Sequence, residues 1–343
     1  MDFPRSISFT LTNICNLRCW MCGQWSPQGY IRNNTQTLRD QMGVARWKQL
    51  VDEIAAHEVR SILLRGGEPF LFPGIIELLE HMTQKGIFVS MDTNGSMLAD
   101  FAEDIVRLGN IHLTVSVDGP EPIHDSLRGV PGTFDRLRKG IRRIQELGEA
   151  AGKTISMSLN FTICPPTVPG LGAMPEVARS LGVKVMAIVP YYYFPQAVGE
   201  QYTRELQELD CQAYSWRGFH HETSGVDFDL FREQYRQYKA TLGEVYDFPY
   251  LVLSEDEYRT WFSDAVTPVG KLHCTNVEKL IDIQPNGDAN FCVDFIDYAM
   301  GNVKEASIAE VWNSPRAERF REYRREQPLA VCYRCGAKFM SEM

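Results

Sequence analysis

The sequence predicts an α/β protein in which six strand–helix units form an open barrel or curved parallel sheet, followed by a small α+β module. From Ser6 to about Pro190, short apolar or β-branched segments alternate with longer amphipathic segments. This pattern is typical of repeated strand–helix units, whose right-handed crossovers wind into one sheet. After His273, two strand-like segments flank Pro285-Asn286-Gly287, and Asn-Gly is a strong hairpin signal.

The individual elements follow from the same alternation. We predict strands near residues 6–12, 60–65, 87–92, 111–117, 154–163 and 183–189. We predict helices near residues 44–56, 73–85, 98–108, 133–148 and 172–181. The segment from 191 to 269 is rich in Tyr, Trp, Gln and Glu and should form a helical connector or lid, with helical stretches at 203–209 and 228–242. The C-terminal module should contain strands at 279–284 and 288–293 and helices at 307–313 and 315–325. The predicted domains are therefore 1–190, 191–269 and 270–343.

The composition limits the partners of the chain. With 35 Lys and Arg against 44 Asp and Glu in 343 residues, the formal net charge is −9. A broad basic surface for nucleic acid is therefore not expected. No apolar signal segment opens the sequence, and no run approaches the roughly 20 apolar residues of a membrane span. We expect a cytoplasmic protein without membrane contact, whose nine cysteines are reduced.

Three cysteines, Cys15, Cys19 and Cys22, follow the first predicted strand with the spacing CxxxCxxC. Three thiolates on one short loop can ligate three irons of an iron–sulfur cube and leave the fourth iron open. Zinc sites usually need four ligands with paired CxxC or Cys/His spacing, and this loop has no nearby histidine. An odd number of cysteines cannot be fully paired as disulfides within the loop. The spacing therefore favours a metal cluster over inert cysteines.

Polar or glycine-rich motifs follow the next three strands. They are Gly66-Gly67-Glu68-Pro69, Thr93-Asn94-Gly95 and Ser116-Val117-Asp118-Gly119. The carboxyl ends of parallel strands meet at one edge, where the functional residues of such folds cluster. We therefore expect these motifs and the cysteine loop to line one rim.

The cysteine loop, the GGEP turn and the SVDG strand end together resemble the radical S-adenosylmethionine (SAM) superfamily, from Ser6 to about Pro190. The resemblance implies a partial (β/α)6 barrel in which the three cysteines bind a [4Fe–4S] cluster and SAM chelates its open iron. Reductive cleavage of SAM then gives a 5′-deoxyadenosyl radical that abstracts a hydrogen atom from the substrate. An electron donor of the flavodoxin or ferredoxin type is also implied.

The resemblance also implies contacts to SAM. The expected contacts are Trp20 against adenine, Gly66 and Gly67 near the methionine end, Glu68 as an acceptor for the ammonium group, Ser116 and Asp118 at the ribose or methionine, and Arg128 at the carboxylate. Arg65 departs from the family pattern, which usually has a smaller residue just before GGEP. It is expected either to reach the substrate or to form an ion pair at the rim.

Four later cysteines, Cys274, Cys292, Cys332 and Cys335, together with Gly287, look like the twitch or shortened SPASM extension of the same superfamily. Such an extension binds an auxiliary [4Fe–4S] cluster. A four-cysteine zinc site is the structural alternative. Four thiolate ligands leave no iron free for substrate, which implies a role in passing electrons. The resemblance thus favours an oxidative reaction in which the last electron leaves through the auxiliary cluster.

The candidate catalytic residues are Asp294 and His273, which flank auxiliary ligands, and Cys164 at the end of the fifth strand. Asp294 or His273 would be a base, and Cys164 would be a hydrogen-atom donor if the enzyme is an epimerase; burial as a small apolar residue is the alternative for Cys164. Tyr191, Tyr192 and Tyr193 at the end of the sixth strand are further candidates for a base or a substrate contact, and packing at the barrel mouth is the favoured interpretation for them. Cys211 is interpreted as structural.

The predicted function is a radical SAM oxidoreductase that acts on a peptide or on a sugar or aminocyclitol. The chain begins almost directly at strand one, so a peptide substrate is expected to need a separate recognition protein or to dock on the connector. A radical SAM epimerase is the alternative within the same superfamily. An iron–sulfur or zinc protein that serves as a scaffold or redox sensor is the alternative outside enzymes.

Overall fold

The fold is built on one ten-stranded sheet, seen in a computed structural model that describes residues 2–270 and 273–336. The strands are β1 (Ser6–Thr10), β2 (Ser61–Arg65), β3 (Phe88–Thr93), β4 (Ile111–Ser116), β5 (Ser156–Ile163), β6 (Val185–Pro190), β7 (Tyr246–Asp247), β8 (Leu280–Ile283), β9 (Asp288–Asn290) and β10 (Gly301–Asn302). Their order is β10-β9-β8-β1-β2-β3-β4-β5-β6-β7. Strands β1 to β6 pair in parallel as a partial barrel, β7 extends it beside β6, and β8 pairs in parallel with β1.

Helices connect the strands and cover the outside of the sheet. They are α1 (Val44–Ala56), α2 (Ile75–Gln84), α3 (Ala102–Leu108), α4 (Glu121–Arg128), α5 (Thr133–Ala150), α6 (Met174–Ser180), α7 (Gln196–Gln207), α8 (Phe228–Thr241), α9 (Glu255–Ser263), α10 (Ile308–Trp312) and α11 (Pro315–Glu326). All six predicted barrel strands and the five predicted barrel helices are present. The sequence prediction missed α4, α9, β7 and β10, and it captured only the second half of α7.

Side chains along each barrel strand alternate between the apolar core under the helices and the interior of the barrel. Outward positions such as Phe9, Leu64 and Met91 are fully buried beneath the helices, and the ring of Phe9 packs 4.6 Å from that of Trp47 on α1. Inward positions are mostly polar, because successive side chains of a strand point to opposite faces. The inward residues that line the central cavity include Arg65, Ser90, Asp92, His112, Thr114, Ser158 and Asn160. The apolar face therefore stabilises the barrel, and the polar face is left for binding.

The C-terminal module is continuous with the barrel sheet. Ile281 and Ile283 of β8 are fully buried beside β1, and β8 and β9 form the antiparallel hairpin that Asn286-Gly287 predicted. Glu53 of α1 accepts hydrogen bonds from the backbone N–H groups of Ile308 and Ala309 at the start of α10, where a carboxylate is favoured by the helix dipole. The predicted hairpin is thus confirmed, with shorter strands, as an extension of the barrel edge.

Within the described residues, none of the helices combines the length and the apolar character that a bilayer span requires.

Candidate functional site

The three cysteines of the first loop line one cavity of about 220 Å³ at the carboxyl ends of the strands. We call it the three-cysteine cavity. Backbone hydrogen bonds fix the loop on two sides: Arg18 N–H donates to the Arg128 carbonyl at 3.0 Å, and Glu68 N–H donates to the Ile14 carbonyl at 2.8 Å. The loop is therefore held between the end of β2 and the end of α4.

Gly67 is needed because the loop passes very close to it. A Cβ atom at Gly67 would lie 2.2 Å from the Ile14 carbonyl oxygen, and one at Gly66 would lie 2.4 Å from the Thr12 carbonyl oxygen. Both contacts are to backbone and cannot be relieved by a side-chain rotation. Both glycines also line the three-cysteine cavity. Because Gly66 and Gly67 have no side chains, the cysteine loop can pack directly against them. This packing role adds to their predicted position near the methionine end of SAM.

Nitrogen donors face all three sulfur atoms, and those at Cys22 are the backbone N–H groups of Gln24 and Trp25. Leu17 N–H lies 3.4 Å from Cys15 Sγ, the Asn94 amide lies 4.0 Å from the same atom, and Arg128 Nη1 lies 3.7 Å from Cys19 Sγ. Burial raises the pKa of the Cys15 thiol to about 12 and that of Cys19 to about 11. A cation must replace the thiol protons before these residues act as thiolates, as iron does on binding. The donor set therefore fits an iron–sulfur cluster.

The four late cysteines, Cys274, Cys292, Cys332 and Cys335, line a second, tight cavity of about 50 Å³, the four-cysteine cavity. Its other walls are largely apolar and include Phe291, Val331 and Leu329. No disulfide bond joins cysteines within the part of the chain that the structure describes. Within residues 2–270 and 273–336, no three His, Cys, Asp or Glu side chains converge as ligands of a single metal ion. Four thiols around a largely apolar cavity are a ligand set that fits an iron–sulfur cluster.

The barrel interior, which we call the lumen, is a cavity of about 630 Å³ between these two sites. Arg65 and Asp92 line both the lumen and the three-cysteine cavity. Asp294 lines both the lumen and the four-cysteine cavity. Phe248 and Tyr250, just after β7, also contribute to its wall. A molecule in the lumen would therefore adjoin both cysteine cavities.

Asp294 is held by a cation and a phenol. Its Oδ1 lies 3.5 Å from Arg65 Nη2, and its Oδ2 accepts a hydrogen bond of 2.9 Å from the Tyr192 hydroxyl. Burial raises the pKa of Tyr192 well above its usual value, so the phenol stays protonated and donates. Burial opposes the charge of Arg65, but the neighbouring Asp294 and Asp92 carboxylates outweigh it and raise the Arg65 pKa. Arg65 is thus both the predicted rim ion pair and a residue of the lumen.

The structure brings most predicted SAM contacts to the three-cysteine cavity. Gly66, Gly67, Ser116 and Arg128 line it. Trp20 lies outside this lining and stacks on His221, with ring centroids 4.9 Å apart. Its predicted contact with adenine stays a prediction.

Glu68 and Asp118 are fully buried and do not line the cavity. Glu68 accepts hydrogen bonds from Phe70 N–H, the Thr93 hydroxyl and Asn94 N–H, which tie the end of β2 to the end of β3. Asp118 pairs with Arg128. This geometry favours structural roles for both carboxylates, and their predicted contacts with SAM are untested.

The predicted catalytic residues are not gathered in one place. Asp294 is in the lumen wall, whereas His273 is exposed and lines neither the lumen nor a cysteine cavity as described. Cys164 is fully buried, with its Sγ 3.5 Å from the Thr167 hydroxyl. Such burial favours the packing interpretation, and a role as hydrogen-atom donor stays a prediction.

Sequence reasoning missed Asp92 and Asn94 as individual site residues. Asn94 belongs to the Thr93-Asn94-Gly95 motif, whose position after β3 was already a signal. Asp92 is the last inward residue of the same strand, and burial raises its pKa. For Tyr192 and its neighbours Tyr191 and Tyr193, the sequence favours packing at the barrel mouth over a contact with substrate. Tyr193 fits that interpretation, since its hydroxyl donates to the Trp261 carbonyl, but Tyr192 points to Asp294.

Because the Glu68 carboxyl group is buried, we expect the free energy of unfolding to depend on pH. Burial raises its pKa from 4.5 to about 7 despite three hydrogen-bond donors. Between these pH values the folded protein binds a proton that the unfolded chain lacks, so stability should fall as the pH rises from about 4.5 to about 7. We expect Glu68→Gln to flatten this dependence, measured as unfolding midpoints of the anaerobic, cluster-loaded protein. Exposed Glu149→Gln is the control, and an unchanged slope in Glu68→Gln would contradict the assignment.

A parallel barrel with an open three-cysteine loop at its strand ends and a four-cysteine C-terminal extension defines a class of iron–sulfur enzymes that bind SAM. The radical SAM superfamily model matches residues 9–162, and the SPASM iron–sulfur cluster-binding domain matches residues 274–336. The chain belongs to the radical SAM superfamily and carries a C-terminal SPASM domain. Its cofactors are therefore a SAM-binding [4Fe–4S] cluster, SAM and an auxiliary [4Fe–4S] cluster, as the sequence predicted.

Similar proteins differ in what they make. An AdoMet-dependent heme synthase of Methanosarcina barkeri is 25% identical over 340 residues, which are 97% of this chain and 88% of that protein. The sporulation killing factor maturation protein SkfB of Bacillus subtilis is 31% identical over 144 residues, 42% of this chain and 33% of SkfB. The crystal structure of Streptococcus suis SuiB bound to its precursor peptide SuiA matches with a TM-score of 0.63 at 14% identity, covering 98% of this chain and 72% of SuiB. The predicted fold class is confirmed.

Proposed function

We propose that the chain is a radical SAM dehydrogenase that oxidises a polar, hydroxyl-bearing small molecule, such as a sugar or an aminocyclitol, in the lumen. The observation that carries the proposal is the position of the lumen between the two cysteine cavities. Arg65 and Asp92 line both the lumen and the three-cysteine cavity, and Asp294 lines both the lumen and the four-cysteine cavity. A substrate in the lumen would adjoin the radical source and the auxiliary cluster together.

Oxidation of a CH–OH group to a carbonyl removes a hydrogen atom from carbon, a proton from oxygen and one electron. When bound, SAM and the two clusters supply a radical that accepts the hydrogen atom and an acceptor for the electron. The chain must supply the group that accepts the proton. In this proposal Asp294 is that base, and the Arg65 guanidinium, 3.5 Å from Asp294 Oδ1, holds its carboxylate at the lumen wall.

The charge of the lumen supports a neutral or cationic substrate. Among the described residues that line it, Arg65 is the one Lys or Arg, and it faces the carboxylates of Asp92 and Asp294. Hydroxyl and amide groups of Ser90, Thr114 and Asn160 complete a lining suited to hydrogen bonds with hydroxyl groups. Tetrapyrroles such as heme carry several carboxylates, which would require more cations than this lining offers. The lumen therefore favours a sugar or aminocyclitol over a heme precursor.

Peptide modification is the second candidate function. It is supported by the similarity of fold to SuiB, whose structure contains a precursor peptide, and by the partial similarity to the maturation protein SkfB. A peptide would offer one side chain to the lumen and bind elsewhere through its backbone. Epimerisation has less support, because the candidate donor Cys164 is fully buried and does not line the lumen.

The test compares substrates with anaerobically reconstituted protein, SAM and either dithionite or a flavodoxin- or ferredoxin-type donor. The panel contains aminocyclitols and sugars, short peptides and a carboxylated tetrapyrrole, each deuterated at the candidate carbon. We expect deuterium in 5′-deoxyadenosine and a product that has lost two hydrogen atoms, with an aminocyclitol or sugar as substrate.

Other products would identify other functions. A product in which the substrate deuterium is replaced by one hydrogen from solvent, without the loss of two hydrogen atoms, would indicate epimerisation. A modified peptide would establish the second candidate, and turnover of the tetrapyrrole alone would contradict the charge argument. Zinc in place of iron, with no SAM cleavage under reductant, would exclude an enzyme of this class.

A further inference from the structure

Arg128, the last residue of α4, makes a contact that the predicted SAM-carboxylate role does not explain. Its guanidinium is buried, and Nη1 lies 3.7 Å from Cys19 Sγ. Nε donates to Asp118 Oδ2 at 2.7 Å, and Nη2 pairs with the same oxygen. The edge of the guanidinium that faces the cluster loop is therefore directed at a ligand sulfur.

Asp118 holds Arg128 in this orientation. Its side chain is fully buried, and its second oxygen, Oδ1, accepts a hydrogen bond of 2.9 Å from Thr162 N–H on β5. The backbone N–H of Asp118 donates to His124 Nδ1, inside α4. The carboxylate of Asp118 is thus fixed by β5 and its backbone by α4, and a guanidinium bonded to this carboxylate through two nitrogens has little freedom to turn away from Cys19.

A fixed cation beside a cluster thiolate has a predictable electrostatic consequence. One-electron reduction adds a negative charge to the cluster, and a nearby buried cation stabilises that charge with little screening by solvent. An N–H donor to a ligand sulfur acts in the same direction, because it withdraws electron density from the thiolate. Both effects raise the reduction potential and make the cluster easier to reduce.

We propose that Arg128, oriented by Asp118, is a positioning residue that raises the reduction potential of the SAM-binding cluster through its contact with Cys19. This role is independent of the substrate and of the reaction that follows SAM cleavage. It also separates Arg128 from the role implied by family resemblance, because a ligand of the SAM carboxylate would change SAM affinity rather than the potential of the cluster before SAM binds.

The test is an EPR-monitored redox titration of the anaerobic, fully reconstituted protein without SAM. The signal of the first cluster is assigned by its change when SAM is added afterwards. In Arg128→Gln we expect the ratio of reduced to oxidised cluster at a fixed potential to fall about tenfold, which is a shift of about −59 mV for one electron. Arg128→Lys keeps the positive charge but lacks the planar guanidinium with its fixed N–H donors, so the shift of the reduction potential should be smaller.

Arg18→Gln is the matched control. Arg18 lies on the same cysteine loop but is exposed, and its Nη1 donates to the backbone carbonyls of Cys15 and Leu17 instead of a sulfur. Its removal should shift the potential much less. An equal shift in Arg18→Gln would show a general charge effect and would overturn the proposal.

A double variant guards against misfolding, because Arg128→Gln alone leaves the buried Asp118 carboxylate without its cation. In Asp118→Asn with Arg128→Gln both charges are absent, and the potential should still lie below that of the original protein. An unchanged potential in both variants, with SAM affinity at least tenfold weaker, would overturn the proposal in favour of a SAM ligand. Loss of the first cluster from both variants would overturn it as well, since Arg128 would then be needed for assembly of the loop.

Discussion

Cys22→Ala is expected to abolish SAM cleavage and to remove about four of about eight irons from the reconstituted protein. Cys22 shares the three-cysteine cavity with Cys15 and Cys19, and a cube that has an open iron for SAM cannot lose one of its three protein ligands. The measurements are iron and sulfide content, EPR of the reduced protein and formation of 5′-deoxyadenosine. The remaining iron should be that of the four-cysteine cavity.

Cys211→Ser is the matched control for this prediction. Its sulfur contacts the Asp297 carbonyl and lies in neither cysteine cavity, so iron content and SAM cleavage should be preserved. The reciprocal variant, with Cys332 and Cys335 both changed to alanine, should lose the other half of the iron while the SAM-binding cluster remains. Full SAM cleavage by Cys22→Ala would show that the first cluster has other ligands.

Asp294→Asn should lower product formation about 100-fold or more while SAM cleavage continues. An amide keeps the size of the side chain but cannot accept the hydroxyl proton, so the substrate radical cannot complete its oxidation. The measurement is the ratio of 5′-deoxyadenosine to product, which should rise steeply. Asp294→Glu, which retains a carboxylate, should recover part of the coupling.

The adjacent tyrosines provide a control pair for the same network. Tyr192→Phe removes the hydrogen bond to Asp294 and should uncouple the reaction partially. Tyr193→Phe removes a hydrogen bond to the Trp261 carbonyl instead, so it should cost about 1 kcal/mol of stability and leave the ratio unchanged. Equal ratios in Asp294→Asn and the original protein would exclude Asp294 as the base and direct attention to Asp92.

The sequence alone predicted the class of protein, because the features that define this class depend on residues close together in the chain. The CxxxCxxC spacing is set within one loop, and the apolar alternation that predicted six strands depends on neighbours along the chain. The hairpin at Asn286-Gly287 is equally local, since it depends on the left-handed conformation that glycine adopts there, with φ 84°. Helix α4 was missed because its residues are mostly polar and only the fold decides which of them are buried.

The tertiary structure alone decided which polar groups meet. Arg65, Asp294 and Tyr192 lie far apart in the sequence and converge because β8 pairs with β1 and closes the C-terminal module against the barrel. Likewise, Arg128 faces Cys19 because it is bonded to Asp118, just after β4, and Asp118 is fixed in turn by Thr162 of β5. The sequence by itself determined the cofactors, because their ligands are recognised by type and spacing. The roles of the charged residues depend on distance and burial, which exist only once the chain has folded.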